Sequence, residues 1–399
     1  MDKASDKVID KIIDKIILAI TANLFPLWMV GANLIARLGG MIILLLIGHG
    51  FAPDILGGYF AILAMTGLAV TATQAGTGPL LIRLVQTGAH TTAILVVTLR
   101  LLVAFAAIAL LVTRPEFDLP IHWPFVIMPI AAALSPDWII TARTAFSRLG
   151  QIAVIAQLAG IGAAFLAVAT NNNFILFTIA PAISVAAFIA SICFAVRLHT
   201  EPQTRLVAPA PDIKQTCGLI GFTLLAGFLP NLDFVLLGDG SHALFLAQRV
   251  FLFCAGLITA IAATLFAKRQ EGPVRECWLF VPMASVTILL LFFPDLIAHL
   301  IYAAPDTHLV AILRTGAFWP LLLAIIIRQC LVLQESGRVI WLGWLLLVLL
   351  FVTLPLFSEP MKTPGLLANL MIIAQIRLGV LCVILAGCQV WLMRKDVRT

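Results

Sequence analysis

The sequence predicts an all-α polytopic membrane protein, with about twelve transmembrane helices in two six-helix halves. Three observations carry this reading. Of 399 residues, 62% are hydrophobic and only 11% charged, against about 25% charged in soluble domains. Roughly a dozen apolar stretches approach the ~20 residues that cross a ~30 Å hydrocarbon core as a helix. The Lys and Arg between them gather on alternate loops, as in membrane proteins whose cytoplasmic loops are basic. The net charge of +6 then reflects loops beside anionic headgroups, and no nucleic-acid partner is expected.

The elements follow in order. Residues 1–22 form an amphipathic leader: Ile9, Ile12, Ile13, Ile16, Ile17 and Ile20 repeat at helical spacing, flanked by stripes of Asp and Lys. Such a helix lies in the cytoplasmic interface, and the alternating Lys and Asp do not read as a cleavable leader. Twelve spans are expected at 24–47, 55–78, 91–113, 121–142, 149–169, 174–196, 214–237, 242–267, 277–303, 308–330, 339–357 and 365–392. Pro129, Pro136, Pro230, Pro294 and Pro320 fall inside them, where membrane helices tolerate kinks if neighbours satisfy the freed backbone.

The linker at 198–213 carries Pro202, Pro209 and Pro211. It divides the chain into an N-terminal bundle at 23–197 and a C-terminal bundle with a short tail at 214–399. Six spans per half give both halves the same orientation, the pattern of parallel repeats. Leu46-Ile47-Gly48-His49-Gly50 ends the first span, and Leu236-Leu237-Gly238-Asp239-Gly240 echoes it at the end of the seventh.

The charge count fixes the sidedness. Eighteen of the 25 Lys and Arg fall on one set of loops and termini, and only Arg114 and Lys362 on the other. Both termini are therefore expected in the cytoplasm. The seven cysteines form no CxxC pair, and His49, His242, His299 and His308 lack metal-ligand spacing. Neither a disulfide framework nor a metal site is expected, and no cofactor.

Five arginines remain inside spans: Arg37, Arg100, Arg249, Arg314 and Arg377. An Arg at a helix centre costs about 2.5–3.5 kcal/mol on insertion scales, so such residues face a cavity, a partner or the interface. Depth within a hairpin matches Asp233 with Arg249 and Asp295 with Arg314, and these are expected to form ion pairs. Arg37, Arg100 and Arg377 have no acid at matching depth in their own hairpins. They either pair with distant helices or face an aqueous cavity, where a guanidinium fork suits diphosphate oxygens. Asn33 shares a helical face with Arg37, which suits a cavity wall.

Several segments resemble the broad family of oligosaccharide flippases that also includes multidrug and toxic-compound exporters and O-antigen translocases. They are Asn33 through Gly57-Gly58-Tyr59 to Leu80, Pro136-Asp137-Trp138, Asn231-Leu232-Asp233-Phe234-Val235-Leu236-Leu237-Gly238, and Phe293-Pro294-Asp295-Leu296-Ile297 with Leu300-Ile301-Tyr302. Thr141-Ala142 departs from the Gln-Gly usual in the O-antigen branch. The resemblance implies two bundles around a central cavity, working by alternating access in a bacterial inner membrane. It also implies arginines on helices one and eight that engage a diphosphate, positions held here by Arg37 and Arg249. Its implied substrate is a lipid-linked oligosaccharide, its partners membrane lipids and polysaccharide assembly proteins, and no covalent chemistry is needed. Two alternatives stay open. A multidrug or cation antiporter of the same fold calls for a cavity rich in acids, and a polytopic polymerase or glycosyltransferase calls for catalytic loops, which the short outer loops do not offer.

Overall fold

The computed structural model describes residues 37–143, 145–199, 213–237, 241–269, 277–336, 341–354 and 367–396. The amphipathic leader, Asn33 and most of the interdomain linker lie outside the described residues. Every described element is helical, and each of the twelve expected stretches holds helix.

The first half contains α1 (Arg37–Gly50), α2 (Pro53–Gln74), α3 (Gly78–Gln86), α4 (His90–Val112), α5 (Leu119–His122), a 3-10 turn (Trp123–Val126), α6 (Ile127–Leu134), α7 (Asp137–Ala142), α8 (Phe146–Thr170) and α9 (Asn173–His199). The second contains α10 (Ile213–Phe228), α11 (Leu232–Leu237), α12 (His242–Arg269), α13 (Cys277–Phe292), α14 (Pro294–Ile301), α15 (Thr307–Thr315), α16 (Trp319–Ser336), α17 (Leu342–Val352) and α18 (Leu367–Asp396). Among the described residues six helices are long and apolar enough to cross a membrane, or eight if each of two bent pairs counts as one span.

Local sequence explains where the helices start, stop and break. Pro53 opens α2 with Asp54 in its first turn, where a missing N–H costs nothing and a negative charge complements the helix dipole. Ala75 and Gly76 then adopt positive φ, and α3 restarts behind Pro79. The second span consequently runs from Pro53 to Gln86, and Arg83 sits on a helix rather than in a loop. Asn171 at φ 46° caps α8, and the Asn172 side chain accepts the Phe174 N–H at 2.9 Å, making the tight turn into α9.

Two of the expected spans are bent near the prolines they carry. The stretch at 277–303 is α13 and α14, bent by 94° at Phe293–Pro294. Proline cannot donate to the preceding turn and pushes the residue before it out of helical geometry, and Phe293 has φ −129° and ψ 43°. The stretch at 308–330 bends by 41° between Thr315 and Trp319, next to Gly316 and Pro320. The fourth span is likewise interrupted, because Ser135 before Pro136 is extended at φ −59° and ψ 125°.

One contiguous cluster of buried apolar side chains runs through both halves, joining Leu56 and Phe60 to Phe245, Phe251 and Trp319. Helix α2 is the hinge of the arrangement, packing on α4 and α6 in its own half and on α12 across the seam. In lipid, packing rather than hydrophobicity holds helices together, so small residues matter at crossings. At Gly48 an added Cβ would stand 2.1 Å from the Ile301 carbonyl oxygen, and the Ala303 N–H donates to the Gly48 carbonyl at 3.1 Å. This contact joins the end of the first span to the end of the ninth. Gly48→Ala is expected to force the two segments apart. Hydrogen–deuterium exchange at Ala303 should then accelerate by about tenfold or more, the mark of local opening. Unchanged exchange there would show that the backbone contact does not hold the seam.

Candidate functional site: a cationic cavity between the halves

A cavity of about 460 Å³ lies in the seam between the two halves. Helices α1, α2, α8 and α9 wall it on one side, and α12 and α16 on the other. Most of its surface is apolar, from Ile43, Ile47, Leu63, Ile183, Leu252 and Leu323. Among the described residues its charged members are Arg37 and Arg249, and its lining includes no Asp or Glu.

Arg249 projects from α12 onto α2. Its guanidinium lies 5.2 Å from the centroid of the Phe60 ring, a cation–π arrangement worth up to about 2 kcal/mol when desolvated. One Nη donates to the Phe60 carbonyl at 3.2 Å. Nε is buried with no hydrogen-bond partner among the described residues, which also place no carboxylate oxygen within 4.0 Å of this side chain. Beside it, Tyr302 is 1% exposed and its hydroxyl donates to the Leu246 carbonyl at 3.0 Å.

Arg37 enters from the first turn of the described part of α1, and its guanidinium fills the space beside Gly256 of α12. A Cβ there would meet it at 2.7–2.9 Å, so the glycine admits the arginine to the seam. Gln157 of α8 completes the polar lining, its Oε1 buried without a hydrogen-bond partner among the described residues. Two guanidinium groups and one amide thus converge on an otherwise apolar hollow. Arg249 is half-buried and Arg37 exposed, and this geometry offers an incoming anion donors from both halves.

The other intramembrane charges lie elsewhere. Arg100 is 6% exposed and donates through Nε to the Thr77 hydroxyl at 2.6 Å, inside the first half. Arg377 lies in the second half, 3.2 Å from Asp233, and donates to the Leu350 carbonyl at 2.7 Å. Neither lines the central cavity. The expected Asp233–Arg249 pair is corrected: Asp233 pairs with Arg377 on α18, while Arg249 faces the seam. Hairpin arithmetic fixes height along a helix but not direction around it. Asp295 and Arg314 lie 3.7 Å apart, with side chains 66% and 59% exposed. The α13–α14 bend carries them to an outer corner, where such a pair contributes about 0–1 kcal/mol.

Other intramembrane polar groups tie neighbouring segments together. Gln248 donates to the Pro230 carbonyl at 2.8 Å and to Asn231 Oδ1 at 2.9 Å, and Gln375 donates to the Thr315 carbonyl at 2.7 Å. Trp319, 1% exposed, packs against Phe234 and Phe251 with ring centroids 5.5 and 5.8 Å away, and so belongs to the core. Sequence reasoning did not single out Gly256 or Phe60. A small residue opposite an intramembrane arginine was the available signal for Gly256, and nothing local marked Phe60.

Fold and cavity together define a multi-pass, two-bundle membrane protein with a cationic seam. No family model matches the sequence, and no curated protein matches it. Solved structures do resemble it across most of the chain. One described as the inward-facing conformation of a multidrug resistance MATE family transporter of the MOP superfamily is 13% identical, with 91% of this chain and 99% of that chain covered and a TM-score of 0.53. One described as the outward-facing conformation of such a transporter is 15% identical, covering 90% and 94%, at a TM-score of 0.54. A MATE structure in a bent conformation is 13% identical, covering 95% and 96%, at 0.51. The chain has the fold of these MATE structures.

Proposed function

We propose that this protein is an alternating-access membrane transporter for an amphipathic anion, and that its substrate is a lipid-diphosphate-linked oligosaccharide moved from the cytoplasmic to the outer leaflet of a bacterial inner membrane. One observation carries the reading: among the described residues the seam cavity is lined by Arg37 and Arg249 and by no acid. Each guanidinium offers a planar fork of donors to phosphoryl oxygens. A volume of about 460 Å³ falls within the ~300–1,000 Å³ of small-molecule sites. It suits a diphosphate and the first sugars, with the rest of the glycan and the lipid tail outside. No bond is made or broken. The membrane potential, about 2.3 kcal/mol per charge per 100 mV, favours outward movement of an anion from a negative interior.

A second reading has its own support. Two of the similar structures are described as multidrug resistance transporters, and by fold likeness alone multidrug export is the better-backed function. Export of cations would place positive substrates against two arginines, which is why the anionic reading is preferred. Reconstituted protein decides between them. Proteoliposomes should translocate a fluorescent polyprenyl-diphosphate sugar and not a cationic dye. Dye export without glycolipid movement would overturn the anionic reading in favour of the multidrug one.

A further inference from the structure

A second cavity, of about 580 Å³, lies wholly within the first half and shares no lining residue with the central one. It lies beside the break at Ser135–Pro136, with Leu134 and Pro136 in its lining together with residues of α4 and α9. Its walls are apolar, from Val97, Leu101, Leu134 and Ile192. Its rim opens outward through Ile94 and Val196, which are 67% and 63% exposed. Apolar side chains this open on a membrane helix face lipid.

One end of this cavity is different. His90 begins α4 and Arg143 follows α7, and both belong to the lining. Trp138 lines it too, and its buried indole N–H has no hydrogen-bond partner among the described residues. Arg143 reaches the Leu198 carbonyl, and Arg148 stacks 5.2 Å from the ring of Phe194. Among the described residues the lining contains no acid. Asp137, the nearest in sequence, is engaged by the hydroxyls of Ser135 at 2.7 Å and Ser191 at 2.5 Å.

We propose that this cavity is a binding site for an anionic phospholipid, with one acyl chain between α4, α6 and α9 and the phosphate at His90, Trp138 and Arg143. Only a bilayer component reaches an apolar hollow through a lipid-facing rim. A guanidinium, an imidazole and an unmet N–H at one end select a lipid whose headgroup is an anion and an acceptor. The basic-loop rule places that end in the cytoplasmic leaflet. The proposal does not depend on what the central cavity carries.

Native mass spectrometry of the full chain in mild detergent tests it, with phosphatidylglycerol and phosphatidylcholine of equal chain length as probes. The first phosphatidylglycerol should bind about tenfold more tightly than phosphatidylcholine, the equivalent of one charge-assisted contact. Arg143→Gln should bring the two lipids close to parity. Thr98→Trp, which fills the cavity from an exposed lining position, should abolish the first site for both lipids. Arg314→Gln, at the exposed outer corner and in neither cavity, should leave phosphatidylglycerol binding unchanged. Equal affinity for the two lipids in the native protein would overturn the proposal, as would a phosphatidylglycerol preference that survives both Arg143→Gln and Thr98→Trp. Tighter binding of undecaprenyl diphosphate than of phosphatidylglycerol, lost in Thr98→Trp, would give the site to a polyprenyl lipid instead.

Discussion

Arg249→Gln is expected to weaken the apparent affinity for a diphosphate-bearing lipid by about 10- to 100-fold, the loss of one charge-assisted contact worth about 1.5–3 kcal/mol. The side chain stands in the seam, with its guanidinium on the Phe60 ring and Nε without a partner among the described residues. Glutamine keeps a donor and most of the length but removes the charge. Arg37→Gln should act in the same direction from the other wall. The double variant should fall short of the product of the two, because both arginines serve one ligand. Arg249→Lys separates charge from shape: it keeps the cation but loses the planar fork, so it should retain only part of the affinity. Initial translocation rates in proteoliposomes, measured against substrate concentration, give the result, and the melting temperature in detergent controls for folding. If all four variants transport the anion with native affinity while the melting temperature falls, these arginines hold the two halves together and do not bind substrate.

The all-helical, multi-span architecture was legible because it rests on a signal that needs no tertiary knowledge, the length of the apolar stretches. The breaks were half legible. Pro294 and Pro320 marked the places, but a 94° turn at one and 41° at the other depend on what α14 and α15 pack against. The site was less legible still. Depth arithmetic correctly set Asp295 beside Arg314, two short elements on either side of one turn. It failed for Asp233, whose partner Arg377 lies on a helix 144 residues away in sequence, because distance along a hairpin carries no information about azimuth. Arg249 illustrates the same gap in reverse. Its sequence surroundings offered it an acid, and only the close approach of α2 to α12 shows that it faces the cavity instead.

The buried pair of Asp233 and Arg377 should give the largest stability effect in the protein. Their side chains are 6% and 4% exposed, with 3.2 Å between the charged atoms. Removing one partner of a buried ion pair leaves the other charge uncompensated and costs about 3–5 kcal/mol. Asp233→Asn is therefore expected to lower the melting temperature of the detergent-solubilised protein sharply, since the amide leaves the Arg377 charge in an apolar bundle. Arg377→Met should be equally damaging, because it strands the carboxylate. The double variant Asp233→Leu with Arg377→Met removes both desolvation penalties and should recover most of the loss, as apolar replacement of buried pairs often does. That recovery separates a structural pair from a working one. If the double variant regains native melting behaviour and also transports normally, the pair only braces the second half. If it regains stability but stays inactive, the charges take part in the conformational cycle, and the pair must part and re-form as the bundles move.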